Sequence, residues 1–183
     1  MNRVGFGFDL HPLRPDRPLV LGGVTVPSDL GLGGHSDADV LTHAICEALL
    51  GALALGDLGS HFPDTDERYR NVSSLRLLAA VRDLVEARGG SLVNADATVV
   101  AQAPRLAPHL PEMAKRLADT LGVDVGRVSV KAKSPEHLGL LGRREGIAAM
   151  AMVSVDVPGE GEPQRSGLGP RRARRSADPG GAA

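Results

Sequence analysis

Aromatic residues are nearly missing from this chain: its 183 residues include no Trp, one Tyr and three Phe. Single-stranded nucleic-acid channels stack successive bases on aromatic faces, and a chain so poor in them gives that class no support. Charge of one sign is also missing. Lys and Arg number 21 against 22 Asp and Glu, a net charge of −1. The whole protein is therefore neither a general nucleic-acid binder nor an acid-rich tail protein. Cys46 is the only cysteine, so no internal disulfide can form, and its Ala/Leu-rich helical setting marks it as a small core residue. No long apolar run and no basic-then-apolar leader pattern occur. The reading that follows is a soluble, cytoplasmic protein with no membrane association and no nucleic-acid partner.

What is present is enough chain for one domain with a real core. Residues 2–11 read as a strand, with Gly5 and Gly7 permitting close backbone approach or a bulge. Residues 19–27 read as a hairpin turning at Gly22-Gly23. Ser36 followed by Asp39 resembles a capping box, opening a helix to about Leu53 with Val40, Leu41, Ala44, Ile45, Ala48 and Leu49 as its apolar stripe. Residues 56–66 read as a Gly- and Pro-punctuated loop. Further helices are expected from about Val72 to Ala87, and from Pro108 or Pro111 to Leu121-Gly122. Strands are expected over 91–101, 128–132 and 147–157, with a loop or short helix over 134–142. Strands alternating with helices indicate an α/β sandwich with helices over one face of a sheet.

From Pro158 the composition changes. One large apolar residue remains among Pro, Gly, Arg and small residues, too little burial to offset ordering entropy. We therefore divide the chain into a single domain over 1–157 and an expected disordered tail over 158–183. The tail's Arg171–Arg175 cluster has the charge to touch nucleic acid or an anionic membrane surface, and the favoured reading is a solvated tail without a specific role.

The chemistry concentrates in a few segments. Asp9 and His11 sit two apart in a strand, so their side chains share one face. His43 lies near the start of the following helix. One Asp and two His form a three-ligand set suited to a divalent metal with an open fourth position, the arrangement of a catalytic zinc. The same set also suits non-haem iron, and Asp-x-His alone is more often a hydrogen-bonded pair.

Company sharpens the reading. Gly-Phe-Gly-Phe-Asp-Leu-His (5–11), Gly-His-Ser-Asp-Ala-Asp-Val-Leu-Thr-His (34–43), Leu-Gly-Asp-Leu-Gly-Ser-His-Phe-Pro-Asp-Thr-Asp (55–66) and Leu-Gly-Leu-Leu-Gly-Arg-Arg-Glu-Gly-Ile-Ala (138–148) occur in that order. Together, over roughly residues 2–157, they resemble the 2-C-methyl-D-erythritol 2,4-cyclodiphosphate synthase family. The resemblance implies a ferredoxin-like α+β sandwich and a homotrimer with active sites between subunits. It also implies a lyase reaction of the non-mevalonate isoprenoid route: 4-diphosphocytidyl-2-C-methyl-D-erythritol 2-phosphate is cyclised and CMP released.

The residue roles that the resemblance implies are as follows. Asp9, His11 and His43 bind Zn2+ and, with His35 and Ser36, meet the terminal phosphate; Ser36 also reads as a helix cap. Asp57, Leu58, Gly59, Phe62, Pro63, Asp64, Thr65 and Asp66 line the methylerythritol part. Ala101, Pro104, Arg105, Leu106, Ala107, Ala132, Lys133 and Ser134 hold cytidine, with His35 and Ser134 as catalytic groups. Glu136 takes Mg2+ or Mn2+ bridging the diphosphate. Leu140 and Arg143 belong near phosphate or a central cavity with room for an isoprenoid diphosphate.

Some residues depart from the family pattern. Lys133-Ser134-Pro135-Glu136 replaces a Thr-rich run, Arg105 stands where Lys is common, and Leu140 replaces a frequent Phe. Some relatives carry a cytidylyltransferase domain in front, and this chain is expected to be monofunctional. Two other functions fit parts of the pattern. One is a metal-dependent phosphoesterase, which would consume water. The other is a non-catalytic trimeric binder of isoprenoid diphosphates, for which Glu136, Ser134 and His35 would be superfluous.

Overall fold

The structure, a computed structural model, describes residues 1–159. Residues 160–183, with the Arg171–Arg175 cluster and most of the expected tail, lie outside the described residues.

Strand β1 (Asn2–Arg14) runs antiparallel to β7 (Gly146–Asp156), and β7 runs antiparallel to β5 (Ser91–Val100). β6 (Val128–Lys133) pairs parallel with β5, and β4 (Gly31–Leu32) adds to the outer edge of β1. The five-stranded order is β4-β1-β7-β5-β6, with β2 (Leu19–Leu21) and β3 (Val24–Val26) forming a separate hairpin. That hairpin turns at Gly22 and Gly23, both at positive φ, as a tight two-residue turn requires. Since β1, β5 and β6 all oppose β7, their C-terminal ends lie at one end of the sheet.

Helices α1 (Val40–Ala52), α3 (Ser74–Ala87) and α4 (Leu110–Leu121) cover one face; α1 packs on β1, β7 and β5, and α4 on β6. The fold is the expected ferredoxin-like α/β sandwich. Gly5 and Gly7 let α1 come close to β1. A Cβ at Gly5 would lie 1.8 Å from Ala48 O, and one at Gly7 2.0 Å from Ala44 O. Ala149 and Ala151 keep the neighbouring strand low in the same way. Pressed between sheet and α3, α1 is buried almost all round rather than along the expected stripe alone, Cys46 and Leu50 included.

The expected capping box is corrected here. α1 begins at Val40, and its N-cap is Asp39, not Ser36. The Asp39 carboxylate accepts from Thr42 N and Oγ1 and from Gly22 N and Gly23 N, so one buried side chain ties the hairpin to the helix. Ser36 Oγ instead accepts from Ala38 N. The 56–66 loop also contains one helical turn, α2 (Leu58–His61).

Among the described residues, the other face of the sheet carries no helix. Val4, Phe6, Phe8 and Leu10 on β1 and Met150 and Met152 on β7 project from it, with Phe6 60% and Phe8 54% exposed. No helix among the described residues is long and apolar enough to cross a membrane.

Candidate active site

Alternation along β1 turns Asp9 and His11 toward α1, which carries His43 within reach one turn from its start. Asp9 Oδ2 lies 2.9 Å from His11 Nε2 and 3.0 Å from His43 Nδ1, and the two imidazole nitrogens are 3.2 Å apart. Donors bound at zinc distances around one tetrahedral centre sit about 3.3 Å apart, so this triangle is close to the edge length the metal requires. Its chemistry agrees. His11 Nδ1 lies 2.9 Å from Gly33 O, a carbonyl that only accepts, so Nδ1 carries a hydrogen and, in the neutral ring, Nε2 turns a lone pair inward. A lone pair and a carboxylate oxygen converging on one point call for a cation. Asp9, His11 and His43 fit a metal ion.

The cluster is electrostatically coupled. Burial pushes the Asp9 carboxyl up, but when the rings of His11 and His43 are protonated their bonds and charge outweigh it and hold Asp9 well below the usual carboxylate range. Burial pulls His11 down, and the bond and charge of Asp9 more than compensate, leaving it raised.

Gly33 N donates to Pro12 O and so sets the following turn beside His11. His35 and Ser36 thereby open onto the same cavity, about 470 Å³ in volume, as Asp9, His11 and His43. His35 Nε2 donates to Asp66 O at 3.1 Å, while the Ser36 hydroxyl hydrogen has no acceptor that claims it. Leu58, Gly59, Phe62, Pro63 and Asp64 form another wall of this cavity.

Asp57, Thr65 and Asp66 are not in that wall. Asp57 caps α2, accepting from Ser60 N and Oγ, and Asp66 caps a 3-10 turn while accepting from Arg68. Both carboxylates lie below their ordinary range because of these bonds.

The remaining expected residues form a second cluster at the C-terminal ends of β5 and β6. Ala101 N donates to Lys133 O, joining the 101–107 loop, with its cis Ala103–Pro104 peptide, to Ala132, Lys133 and Ser134. Glu136 N donates to Ser134 Oγ, and Glu136 and His137 both take positive φ. Arg105, Leu106 and Ala107 follow on the same loop into the 3-10 turn that starts α4. Leu140 lies on α5 (Gly139–Gly142), and Arg143 at its end pairs with Glu145.

Leu10, Ala148, Val100 and Lys133 make one row across β1, β7, β5 and β6. The row spans three strand spacings, about 14 Å. The second cluster thus shares an end of the sheet with the metal cluster but does not line its cavity.

Sequence reasoning missed several residues here. Glu47, Tyr69 and Leu77 line the metal cavity. Glu47 follows His43 by one helical turn, a spacing that could have found it, and its Oε1 accepts from Leu58 N. Gln102 lies inside the expected 101–107 cytidine segment, but its tie was not foreseen: its Oε1 accepts from His137 N and joins the two loops of the second cluster.

A sequence model of the YgbB family matches residues 2–156. A 2-C-methyl-D-erythritol 2,4-cyclodiphosphate synthase of Desulfitobacterium hafniense is 56% identical over 155 residues, covering 85% of this chain and 98% of that protein. Among solved structures, the bifunctional IspDF from Campylobacter jejuni superimposes with a TM-score of 0.83 at 41% identity, covering 86% of this chain and 42% of that one. A CDP-bound form of 2C-methyl-D-erythritol-2,4-cyclodiphosphate synthase matches with a TM-score of 0.78 at 38% identity, covering 84% of this chain and all of that one (100%). The chain belongs to the YgbB family, the family of the 2-C-methyl-D-erythritol 2,4-cyclodiphosphate synthases.

Proposed function

We infer that the chain is a phosphorus–oxygen lyase. It cyclises 4-diphosphocytidyl-2-C-methyl-D-erythritol 2-phosphate to 2-C-methyl-D-erythritol 2,4-cyclodiphosphate and releases CMP. The observation that carries this is the Asp9–His11–His43 triangle opening beside His35 and Ser36 into one cavity. In the reaction an oxygen of the 2-phosphate attacks the β-phosphorus, the bond from β-phosphorus to the bridging oxygen breaks, and that oxygen leaves with CMP. Both partners are anions, so the site must neutralise charge and align them; no protein nucleophile is needed.

Asp9, His11 and His43 would hold zinc, and Glu136 would hold magnesium or manganese at the diphosphate. When bound, these ions polarise phosphate oxygens and offset the charge that builds on the departing CMP. The chain's own residues do the rest. The Ser36 hydroxyl donates to the terminal phosphate, and His35, steadied by Asp66 O, stands beside it. Leu58, Gly59, Phe62, Pro63 and Asp64 enclose the methylerythritol carbons and exclude water. Asp57, Thr65 and Asp66 shape that wall from behind. Ala101, Pro104, Arg105, Leu106, Ala107, Ala132 and Lys133 take the cytidine through backbone groups, and the Ser134 hydroxyl positions the diphosphate.

We assign the catalysis to a homotrimer. The apolar sheet face and the two separated clusters support this reading, since a neighbouring chain can cover the first and bring its second cluster to the metal cavity. Leu140 and Arg143 would then face a central cavity. The catalytic domain is residues 1–157, and 158–183 take no part in the chemistry. Phosphorus NMR of the substrate with protein, zinc and magnesium should show CMP and the cyclic diphosphate appearing in equal amounts; CMP with a linear phosphate product would exclude the cyclase.

A further inference from the structure

We propose that Asp37 and Ser74 are positioning residues that fix the tautomer of His43 and so turn its Nδ1 lone pair toward the metal. The inference rests on the reading that Asp9, His11 and His43 hold a metal.

Ser74 is the first residue of α3 and is fully buried. Its N–H donates to Asp37 Oδ2 at 3.0 Å, and its hydroxyl donates to Asp37 Oδ1 in a short bond. Asp37 is held in turn by its own N–H, which donates to Val72 O. Ser74 Oγ also lies 2.8 Å from His43 Nε2. A hydroxyl has one hydrogen, and Ser74 has committed it to a carboxylate. Toward His43 it can only accept. His43 Nε2 therefore carries the ring hydrogen, and Nδ1 faces Asp9 Oδ2 and His11 Nε2 with a free lone pair.

The competing arrangement is equally concrete. Ser36 Oγ lies 3.3 Å from the same Nε2 and has an uncommitted hydrogen. If Ser36 donated to Nε2, the ring hydrogen would move to Nδ1, bond to Asp9 and occupy the metal's place. Ser74, backed by Asp37, decides between the two arrangements. It also couples the start of α3 to the metal centre, which no sequence spacing reveals, because the contacts join residues 31 and 37 positions apart.

Two measurements test this on the full chain. Two-bond proton–nitrogen NMR of metal-free, histidine-labelled protein at alkaline pH reads the tautomer directly, and chelator competition reads zinc affinity. Ser74→Ala should move His43 toward the Nδ1–H form and weaken zinc binding by about 10–100-fold, the usual effect of removing an outer-shell partner. Ser74→Thr restores a hydroxyl and should restore both readouts, which separates positioning from packing. Asp37→Asn should shift the tautomer the same way as Ser74→Ala. An unchanged Nε2–H tautomer with zinc affinity within about twofold of wild type in Ser74→Ala would overturn the proposal. If the wild-type chain itself bound no zinc, the metal reading would fail, and the tautomer spectra would still decide the role of Ser74.

Discussion

At Asp9 a single carboxylate oxygen faces both imidazoles, so a proton on either ring competes with a cation for the same space. His43→Ala should remove most bound zinc while leaving a cooperatively folded domain, measured by metal analysis alongside a thermal melt. The raised His11 value fixes a pH trend. His11 must be neutral to coordinate, so zinc affinity should fall as pH drops through a value above the ordinary 6.5. The metal-free protein should behave oppositely across neutrality. A raised imidazole stabilises the fold fully below 6.5, and that contribution is lost as pH rises through its folded value. The depressed Asp9 contributes above 3.8 and loses its contribution as pH falls through its folded value. Melts with and without zinc, from about pH 5 to pH 8, check the two opposite trends set by His11. At the second cluster, Glu136→Gln should lower turnover sharply and raise the magnesium needed for half-maximal rate, with zinc content unchanged. An unaltered magnesium dependence with loss of only the acid limb of the pH profile would make Glu136 a proton-transfer group. Asp9, His11 and His43 were legible in sequence because strand and helix periods aim side chains predictably. Asp57 and Asp66 show where that legibility stops: an acidic residue in a Gly/Pro loop looks the same whether it touches substrate or caps a turn.

The contact between β1 and α1 sets the Asp9–His11–His43 triangle, since β1 supplies two of its side chains and α1 the third. It depends on the missing side chains of Gly5 and Gly7. Gly7→Ala would drive a Cβ into the carbonyl of Ala44, one residue from His43. The variant should lose about 1–3 kcal/mol or more, as over-packed cores do, and should bind zinc less tightly because α1 must move away. Chemical denaturation and a zinc titration on the same sample check the two effects together. Most elements could be read from apolar periodicity, and their ends were less secure. β1 continues to Arg14 because β4 and the start of β7 extend its ladder, pairings that no local pattern reveals. The start of α1 was misread because Ser36 and Asp39 both suit a cap. Long-range bonds from Gly22 and Gly23 to Asp39 decide which is used.

For the whole molecule, the open sheet face is the feature that a single chain leaves unresolved. Two of the chain's three Phe lie on it, although burying such residues is worth roughly 1.5–3 kcal/mol each. Phe8→Asp places a charge in the proposed trimer interface. It should yield a monomer in sedimentation velocity that keeps its zinc and loses turnover; an active monomer would contradict a shared site. Sequence gave only a slight hint of this assembly, because alternation along β1 shows Gly5 and Gly7 on one side and Val4, Phe6, Phe8 and Leu10 on the other without saying which side is covered. The central claim is that phosphate, not water, attacks the β-phosphorus at this metal centre. Turnover in oxygen-18 water tests it most directly. Mass spectrometry should find the label in neither CMP nor the cyclic diphosphate; a linear methylerythritol phosphate carrying one solvent oxygen would mean that water attacked the β-phosphorus and would contradict the account.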